Sequence, residues 1–222
     1  VITLNGVEVD ILPAACYNEG DEALGTEKKG CGDNSHPWRY DPMFAGNNFG
    51  TDANNAHTQA SGLYHYHGNP MVMFDQDCEA NGVASPVIGF AADGYPVYGK
   101  CFTDPSTGLV REAEPSYALR DNGGVRQDEG EYLTPTAGNG AIESDNYDGQ
   151  FRNDWEYVEG LGDLDECNGA EVDGQYGYYI TNAYPWILAC YKGEVDASFV
   201  TLPSSRRYEA KFHSHDESTH EH

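Results

Sequence analysis

Three histidines lie within one short stretch of the chain, at His57, His65 and His67. The last two alternate with tyrosines in the sequence Tyr64-His65-Tyr66-His67. Side chains at positions i and i+2 of a β-strand project from the same face. Both imidazoles can therefore converge on one ion while the tyrosines pack on the opposite face. Neutral imidazole is a good ligand for Zn(II) and Cu(II), so the pattern predicts a metal site with His65 and His67 on a strand and His57 in a nearby loop.

The same residues allow other interpretations. Buried histidines also form hydrogen bonds across sheets, here among stacked tyrosines, without any ion. If an ion is bound, three protein ligands leave at least one coordination position open, which permits water activation or redox chemistry. The sequence thus favours a protein that holds copper, or alternatively zinc, and leaves open a metalloenzyme of the hydrolase or oxidase type.

Two further residues are candidates for a role beside these histidines. Asp93 lies in a glycine-rich turn between two apolar runs. Its carboxylate could orient a ligand histidine or act as a general base, although an Asp-Gly pair is also a typical turn sequence. His36, which precedes Pro37 and Trp38, is expected to be structural but could approach the site. Asp93 is therefore the candidate catalytic residue.

Short strands are the elements that would position these side chains. The first eleven residues alternate apolar and polar types around Asn5-Gly6, which predicts a β-hairpin. With 26 glycines and 11 prolines, the chain is expected to be mainly β, sandwich or barrel-like, with long irregular loops. Further predicted strands lie at 62–67, 71–74, 85–90, 95–98, 176–181 and 186–191.

Two other regions are predicted to be irregular. Residues 17–37 form a polar loop, and residues 104–164 are a loop-rich insertion with a short helical turn near 115–120. The insertion is rich in acidic side chains that could hold calcium. It has no Asp-x-Asp-x-Asp-Gly loop, so a solvated surface is the better interpretation.

A weak internal repeat relates units at about 52–101 and 165–193. Asp52 and Asn55 recur at Asp165 and Asn168, which favours a shared structural role. In this alignment the three histidines are replaced by Ala170, Gly177 and Tyr179. The ligands of one ion lose their function together once one of them is lost. The joint absence of the three histidines from the second unit therefore favours a shared ion.

The charge balance excludes some partners. Thirty-seven acidic against twelve basic residues give a net charge of −25. Such a field repels nucleic acid and anionic membrane surfaces. No apolar run reaches the ~20 residues that a transmembrane helix needs. The expected partners are a metal ion and a small-molecule or glycan substrate, with no nucleic acid and no membrane span.

Six cysteines are spread along the chain without a Cys-x-x-Cys motif, which favours disulfides. Disulfides persist in oxidising compartments, so a periplasmic or secreted protein is expected. A first residue other than methionine fits removal of a signal peptide. Pairing of nearest neighbours is predicted: Cys16 with Cys31, Cys78 with Cys101, and Cys167 with Cys190.

The final residues, 204–222, are predicted to be a flexible histidine-rich tail after a single β domain at 1–203. The tail holds four of the eight histidines and could gather metal ions loosely. The 16 tyrosines and 3 tryptophans also suit a third alternative, a carbohydrate-binding or adhesion module without metal.

The tetrapeptide Tyr64-His65-Tyr66-His67 resembles the signature of the YHYH domain family. His57 matches the histidine that the family places shortly before this motif. Residues 89–99 resemble its Asp-Gly-aromatic-Pro segment, and residues 164–169 with Tyr184-Pro185 and Cys190 resemble its C-terminal part. The resemblance covers about residues 52–193 and implies a secreted or membrane-associated protein. It implies no particular activity, so the function has to be argued from the residues.

Overall fold

The computed structural model describes residues 1–11, 15–17, 28–29, 35–47, 49–59 and 61–199. Most of the predicted polar loop at 17–37 lies outside these residues, as do Cys31 and the predicted tail at 204–222.

Within the described residues, the chain forms many short strands and one short helix. The strands are β1 (Ile2–Thr3), β2 (Glu8–Val9), β3 (Ala15–Cys16), β4 (Lys28–Lys29), β5 (Ala56–Thr58), β6 (Tyr64–Tyr66), β7 (Val87–Phe90), β8 (Pro96–Tyr98), β9 (Cys101–Thr103), β10 (Val110–Glu112), β11 (Tyr117–Leu119), β12 (Trp155–Tyr157), β13 (Gly169–Val172) and β14 (Gln175–Tyr179). Helix α1 spans Cys78–Asn81, and 3₁₀ turns span Ala45–Asn47, Arg120–Gly123, Arg152–Asp154 and Ala197–Phe199.

Eight strands form one mixed sheet in the order β13-β14-β8-β7-β1-β2-β6-β5. Three two-stranded sheets, β10-β9, β11-β12 and β3-β4, accompany it. The predicted mainly-β class is confirmed. The large sheet is open, with β13 and β5 at its edges, and is not a closed barrel.

The sheet has approximate two-fold symmetry about its centre, where Ile2 of β1 pairs with Phe90 of β7. On each side of this centre lies a hairpin, either β1-β2 or β7-β8. A parallel strand follows, β6 or β14, and an antiparallel edge strand, β5 or β13, completes each half. The repeat is therefore organised differently from the predicted units, because the segment 52–101 contributes strands to both halves.

The two central hairpins have the same turn. Gly6 has φ 82° and Gly94 has φ 84°, and each closes a three-residue loop. This left-handed conformation strongly favours glycine. The hairpin predicted for the first eleven residues is confirmed, with the left-handed position at Gly6.

The residue before each of these glycines contacts a tyrosine of the neighbouring parallel strand. Asn5 donates a hydrogen bond from Nδ2 to Tyr66 Oη at 3.0 Å. In the other half, Tyr178 donates from Oη to the carboxylate of Asp93 at 2.5 Å. The repeat thus extends to side-chain hydrogen bonds.

Three predicted elements are wrong. Residues 71–74 and 186–191 contain no strand, and β11 with a following 3₁₀ turn replaces the helical turn near 115–120. Trp186 has φ 69°, a conformation incompatible with an extended strand. Ile187 and Leu188 after it are nevertheless buried. The apolar run at 186–191 thus reflects burial of irregular chain, whereas Met71 and Val72 of the other run are exposed.

One face of the large sheet packs on the main hydrophobic core. Tyr66 and Val9 from one half, and Tyr178 and Val97 from the other, are buried there. Ile187 and neighbouring residues that follow β14 pack on the same cluster. The opposite face of β5 and β6 is left for the histidines.

Two of the predicted disulfides are confirmed, Cys78–Cys101 and Cys167–Cys190. The third predicted pair involves Cys31, which lies outside the described residues. In the described part of the chain, no helix has the length and apolar character needed to cross a membrane.

Candidate metal centre

The antiparallel hairpin of β5 and β6 places His57 directly opposite His65. Paired residues of neighbouring strands project from the same face of a sheet. The next pair in the register, Ala56 with Tyr66, projects toward the hydrophobic core. His57 therefore lies on a strand, and the expectation that it would come from a loop is wrong.

His67 lies one residue beyond the end of β6 and completes the cluster. Its backbone N–H donates to the carbonyl of Asn55 at 2.8 Å, which extends the hairpin. Its Nε2 lies 3.0 Å from Nε2 of His65 and 3.0 Å from Nε2 of His57. The ligand atoms of all three histidines lie within 4.8 Å of one another.

The other ring nitrogen of each histidine faces a backbone carbonyl. His57 Nδ1 lies 2.7 Å from the carbonyl oxygen of Phe49. His67 Nδ1 lies 2.5 Å from that of Asp10, and His65 Nδ1 lies 3.3 Å from that of Leu63. A carbonyl oxygen can only accept, so each Nδ1 carries the proton. The neutral tautomer with a lone pair on Nε2 is thereby selected at all three positions.

The unprotonated nitrogens of all three rings thus lie close together, within 4.8 Å of one another. Two neutral imidazoles that both lack a proton on Nε2 cannot form a hydrogen bond through these atoms. At 3.0 Å their lone pairs repel, and a cation between them would remove the repulsion. Tetrahedral Zn–N bonds of ~2.0–2.1 Å separate ligand nitrogens by ~3.3 Å, which is close to the two separations of 3.0 Å that involve His67.

Burial favours a metal ion over a proton at this point. His65 and His67 are each 2% exposed, and His57 is half-buried. Burial, together with the nearby rings of the other two histidines, lowers the pKa of His67 to about 4. A metal ligand must be unprotonated, and His67 meets this condition throughout the neutral range.

The ring contacts hold the cluster in place. The three imidazoles meet edge to face, with centroid separations of 4.6 to 4.8 Å. The ring of Phe49 lies 6.2 Å from that of His67 and forms an apolar wall. These contacts fix the ring orientations before any ion is bound, so little reorganisation would accompany binding.

The equivalent place in the other half of the sheet holds an apolar cluster. Tyr98 and Tyr179 stack there at 5.3 Å, and both pack with Phe102 and Leu164. A Cβ atom on Gly177 would lie 2.4 Å from Cε2 of Tyr98. Gly177 therefore leaves room for the Tyr98 ring where the first half has His65.

The framework residues of the repeat have matching structural roles. The carboxylate of Asp52 accepts from Tyr64 Oη at 2.7 Å, and that of Asp165 accepts from Tyr176 Oη at 3.1 Å. Both carboxylates also accept backbone N–H groups in the turn that precedes the edge strand. Asn55 and its counterpart in the second half both have positive φ, 57° and 67°.

The other two candidates occupy different surroundings. Asp93 accepts from Tyr178 Oη, from the backbone of Gly193 at 3.0 Å and from Tyr95 N at 3.4 Å in its own turn. These contacts do not include the histidine cluster. The ring of His36 lies 4.5 Å from that of Tyr132.

The structure also places near the cluster residues that the sequence did not point to. The acceptors at Asp10, Phe49 and Leu63 are main-chain atoms, which leave no mark in a sequence. Glu8 of β2 pairs in parallel register with His65 of β6, so this exposed carboxylate lies on the histidine face. Only the pairing of the N-terminal hairpin with β6 would have revealed it.

Comparison with known proteins gives one result. The sequence profile of the family described as YHYH protein matches residues 1–193. No curated protein and no solved structure matches the chain.

Proposed function

The chain belongs to the YHYH protein family, and we propose that it is an extracytoplasmic metal-binding protein. The ion is copper, or alternatively zinc, held through Nε2 of His57, His65 and His67. The observation that carries this proposal is the proximity of three unprotonated imidazole nitrogens, within 4.8 Å of one another, in rings whose Nδ1 atoms donate to backbone carbonyls.

The donor set decides between classes of ion. Calcium and magnesium prefer oxygen ligands, whereas all three donors here are neutral imidazole nitrogens. Imidazole suits both copper and zinc, and the Irving–Williams order places Cu(II) above Zn(II) at a given nitrogen site. Copper is therefore the expected ion. The supply of copper and zinc in the compartment would decide which of the two is bound.

The cysteines support the proposed compartment. Two disulfides are compatible with an oxidising environment outside the cytoplasm. Capture, delivery or storage of the ion in that environment would need no substrate cleft over the histidines.

The proposal is tested by measuring metal content after purification without chelator, followed by titration with Cu(II) and Zn(II). We expect one ion bound per chain at the cluster, and loss of this ion in the double variant His65→Ala with His67→Ala. His36→Ala is the matched control, since His36 lies against Tyr132 outside the cluster, and it should bind as the wild type does.

The terminal histidines need a separate control, because they could bind metal as well. Replacing His213, His215, His220 and His222 by asparagine leaves the cluster intact. If this variant loses all bound metal while the double variant at the cluster retains it, the proposed site is wrong.

A metalloenzyme is the second candidate, and the position of Glu8 favours it. A carboxylate on the same face as His65 could accept a proton from water at the open coordination position. The metal-loaded protein would then hydrolyse an activated ester such as 4-nitrophenyl acetate, and Glu8→Gln would lower the rate without releasing the ion. Equal rates for the wild type and Glu8→Gln would exclude Glu8 as the base, and no hydrolysis above that of the metal-free protein would leave only the binding function.

A further inference from the structure

A cleft lies where the two-stranded sheet of β11 and β12 faces the segment that follows β14. The cleft between them has a volume of about 490 Å³, within the usual range for ligand sites. Its lining shares no residue with the histidine cluster. The disulfide at Cys190 anchors one wall to Cys167.

Aromatic rings line this cleft. Tyr117 of β11 pairs with Tyr157 of β12, and Trp155 lies two residues before Tyr157 on the same face. The Trp155 ring stacks on Tyr184 with nearly parallel planes, 3° apart, at 5.2 Å. Tyr117 in turn contacts the edge of Tyr184 at 5.2 Å. The four rings form one contacting cluster, and Tyr157 is its solvent-exposed member.

An arginine without a carboxylate partner in the part of the chain that the structure describes lies beside these rings. The guanidinium of Arg152 contacts the carbonyl of Ala189 at 3.4 Å, and it makes no salt bridge to any carboxylate that the structure describes. By contrast, Arg126 pairs with two carboxylates and Arg111 pairs with two others. Acidic residues outnumber basic ones threefold in this chain, so most arginines are expected to have a carboxylate partner, and Arg152 is an exception among the described residues.

The remaining charged groups of the cleft do not neutralise Arg152. Arg120 also lines it and pairs with Glu129 at 2.7 Å. Glu166 is at the exposed rim, where its backbone carbonyl accepts from Tyr117 Oη. The cleft thus combines a cluster of aromatic rings with an arginine that has no carboxylate partner among the described residues.

From this combination we propose that the cleft binds an acidic oligosaccharide, such as a chain of uronic acids. The net charge of −25 opposes an anion at long range, but exposed charges more than about 8 Å apart are largely screened at physiological ionic strength. The local charge of Arg152 therefore decides whether the acidic sugar binds. The apolar face of a sugar ring would stack on the exposed ring of Tyr157, and its carboxylate would form a bidentate, charge-assisted pair with Arg152. This is a binding site in addition to the metal centre, and it does not depend on the metal.

Other clefts of similar size lack this combination. The cleft near Gly169 contains Arg111 and Lys192, but both are already paired with aspartates. The cleft beside Val1 is lined mainly by aliphatic residues and has no arginine or lysine. Neither offers a free cation beside stacked rings.

The test is calorimetric titration of the chelated, full-length protein with trigalacturonate, and separately with the neutral trisaccharide cellotriose. We expect binding of the acidic sugar and much weaker binding of the neutral one. Arg152→Gln should weaken binding of trigalacturonate about 10- to 100-fold, as expected for loss of one charge-assisted pair. Tyr157→Ala, at an exposed position that should tolerate the change, should weaken binding of both sugars.

Tyr191→Ala is the matched control, because Tyr191 is exposed to a similar degree and lies outside the cleft. Its affinity should equal that of the wild type. The proposal is overturned if neither sugar binds, if both bind equally, or if Arg152→Gln and Tyr157→Ala bind trigalacturonate as the wild type does. Weakening by Tyr191→Ala to the same extent would also overturn it, since binding would then not be local to the cleft.

Discussion

Replacement of His67 by asparagine should change how the stability of the metal-free protein depends on pH. Asparagine Nδ2 can take the place of His67 Nδ1 and donate to the carbonyl of Asp10, but it does not titrate. Burial and the two neighbouring histidines lower the pKa of His67 to about 4 from its ordinary value of 6.5. Between these two values the folded chain binds fewer protons than the unfolded chain.

The sign and size of the effect follow from linkage. Stability due to neutral His67 is fully present above pH 6.5 and is lost as the pH falls toward 4. At about 1.4 kcal/mol per pH unit, the wild type should lose roughly 2 kcal/mol through this residue between pH 7.5 and 5.0. The asparagine variant should not show this loss.

Urea denaturation of both proteins with chelator, at several pH values between 5.0 and 7.5, measures the difference. The difference is the correct readout, because Asp41 acts in the opposite direction. Its pKa is raised to about 6, chiefly by burial, so its contribution favours the folded state at low pH. Because Asp41 is present in both proteins, its contribution to the pH dependence cancels in the difference between them. Parallel stability curves for the two proteins would refute this account of the cluster.

Three further predictions concern the fold. Asp41→Asn should stabilise the protein by up to about 3 kcal/mol at pH 8 and by little at pH 3, since burial penalises only the charged carboxylate; urea denaturation at both pH values checks this. Cys78→Ser with Cys101→Ser should cost about 3 kcal/mol, from the entropy of a disulfide loop with a sequence separation of 23, and an unchanged urea midpoint would contradict it. Gly177→Ala should cost about 1–3 kcal/mol, since its Cβ would lie 2.4 Å from Tyr98, and a thermal melt equal to that of the wild type would exclude this crowding.

The sequence predicted the histidine face because a period of two is a strong signal even in a strand as short as β6. His65 and His67 needed only that alternation. The position of His57 was harder to predict, because β5 has three residues and follows Asn55, whose positive φ is typical of a turn. The sequence therefore favoured a loop where the structure has the edge strand of a sheet.

Other features depend on contacts between distant parts of the chain. Trp186 donates from Nε1 to Asp41, 145 residues earlier. Its positive φ is incompatible with the strand predicted at 186–191, which would begin at this residue. The apolar residues in that run are buried as irregular chain, which periodicity alone does not distinguish from a strand. The pairing of Glu8 with His65 joins residues far apart in sequence and has no local signature.

The central claim is that one ion binds at the point where Nε2 of His57, His65 and His67 converge. Crystals of protein purified without chelator, measured at the absorption edges of copper and zinc, test this directly. The account predicts one anomalous peak ~2.0–2.1 Å from each of the three nitrogens. A map with no peak between these imidazoles, from protein that carries metal in solution, would contradict it.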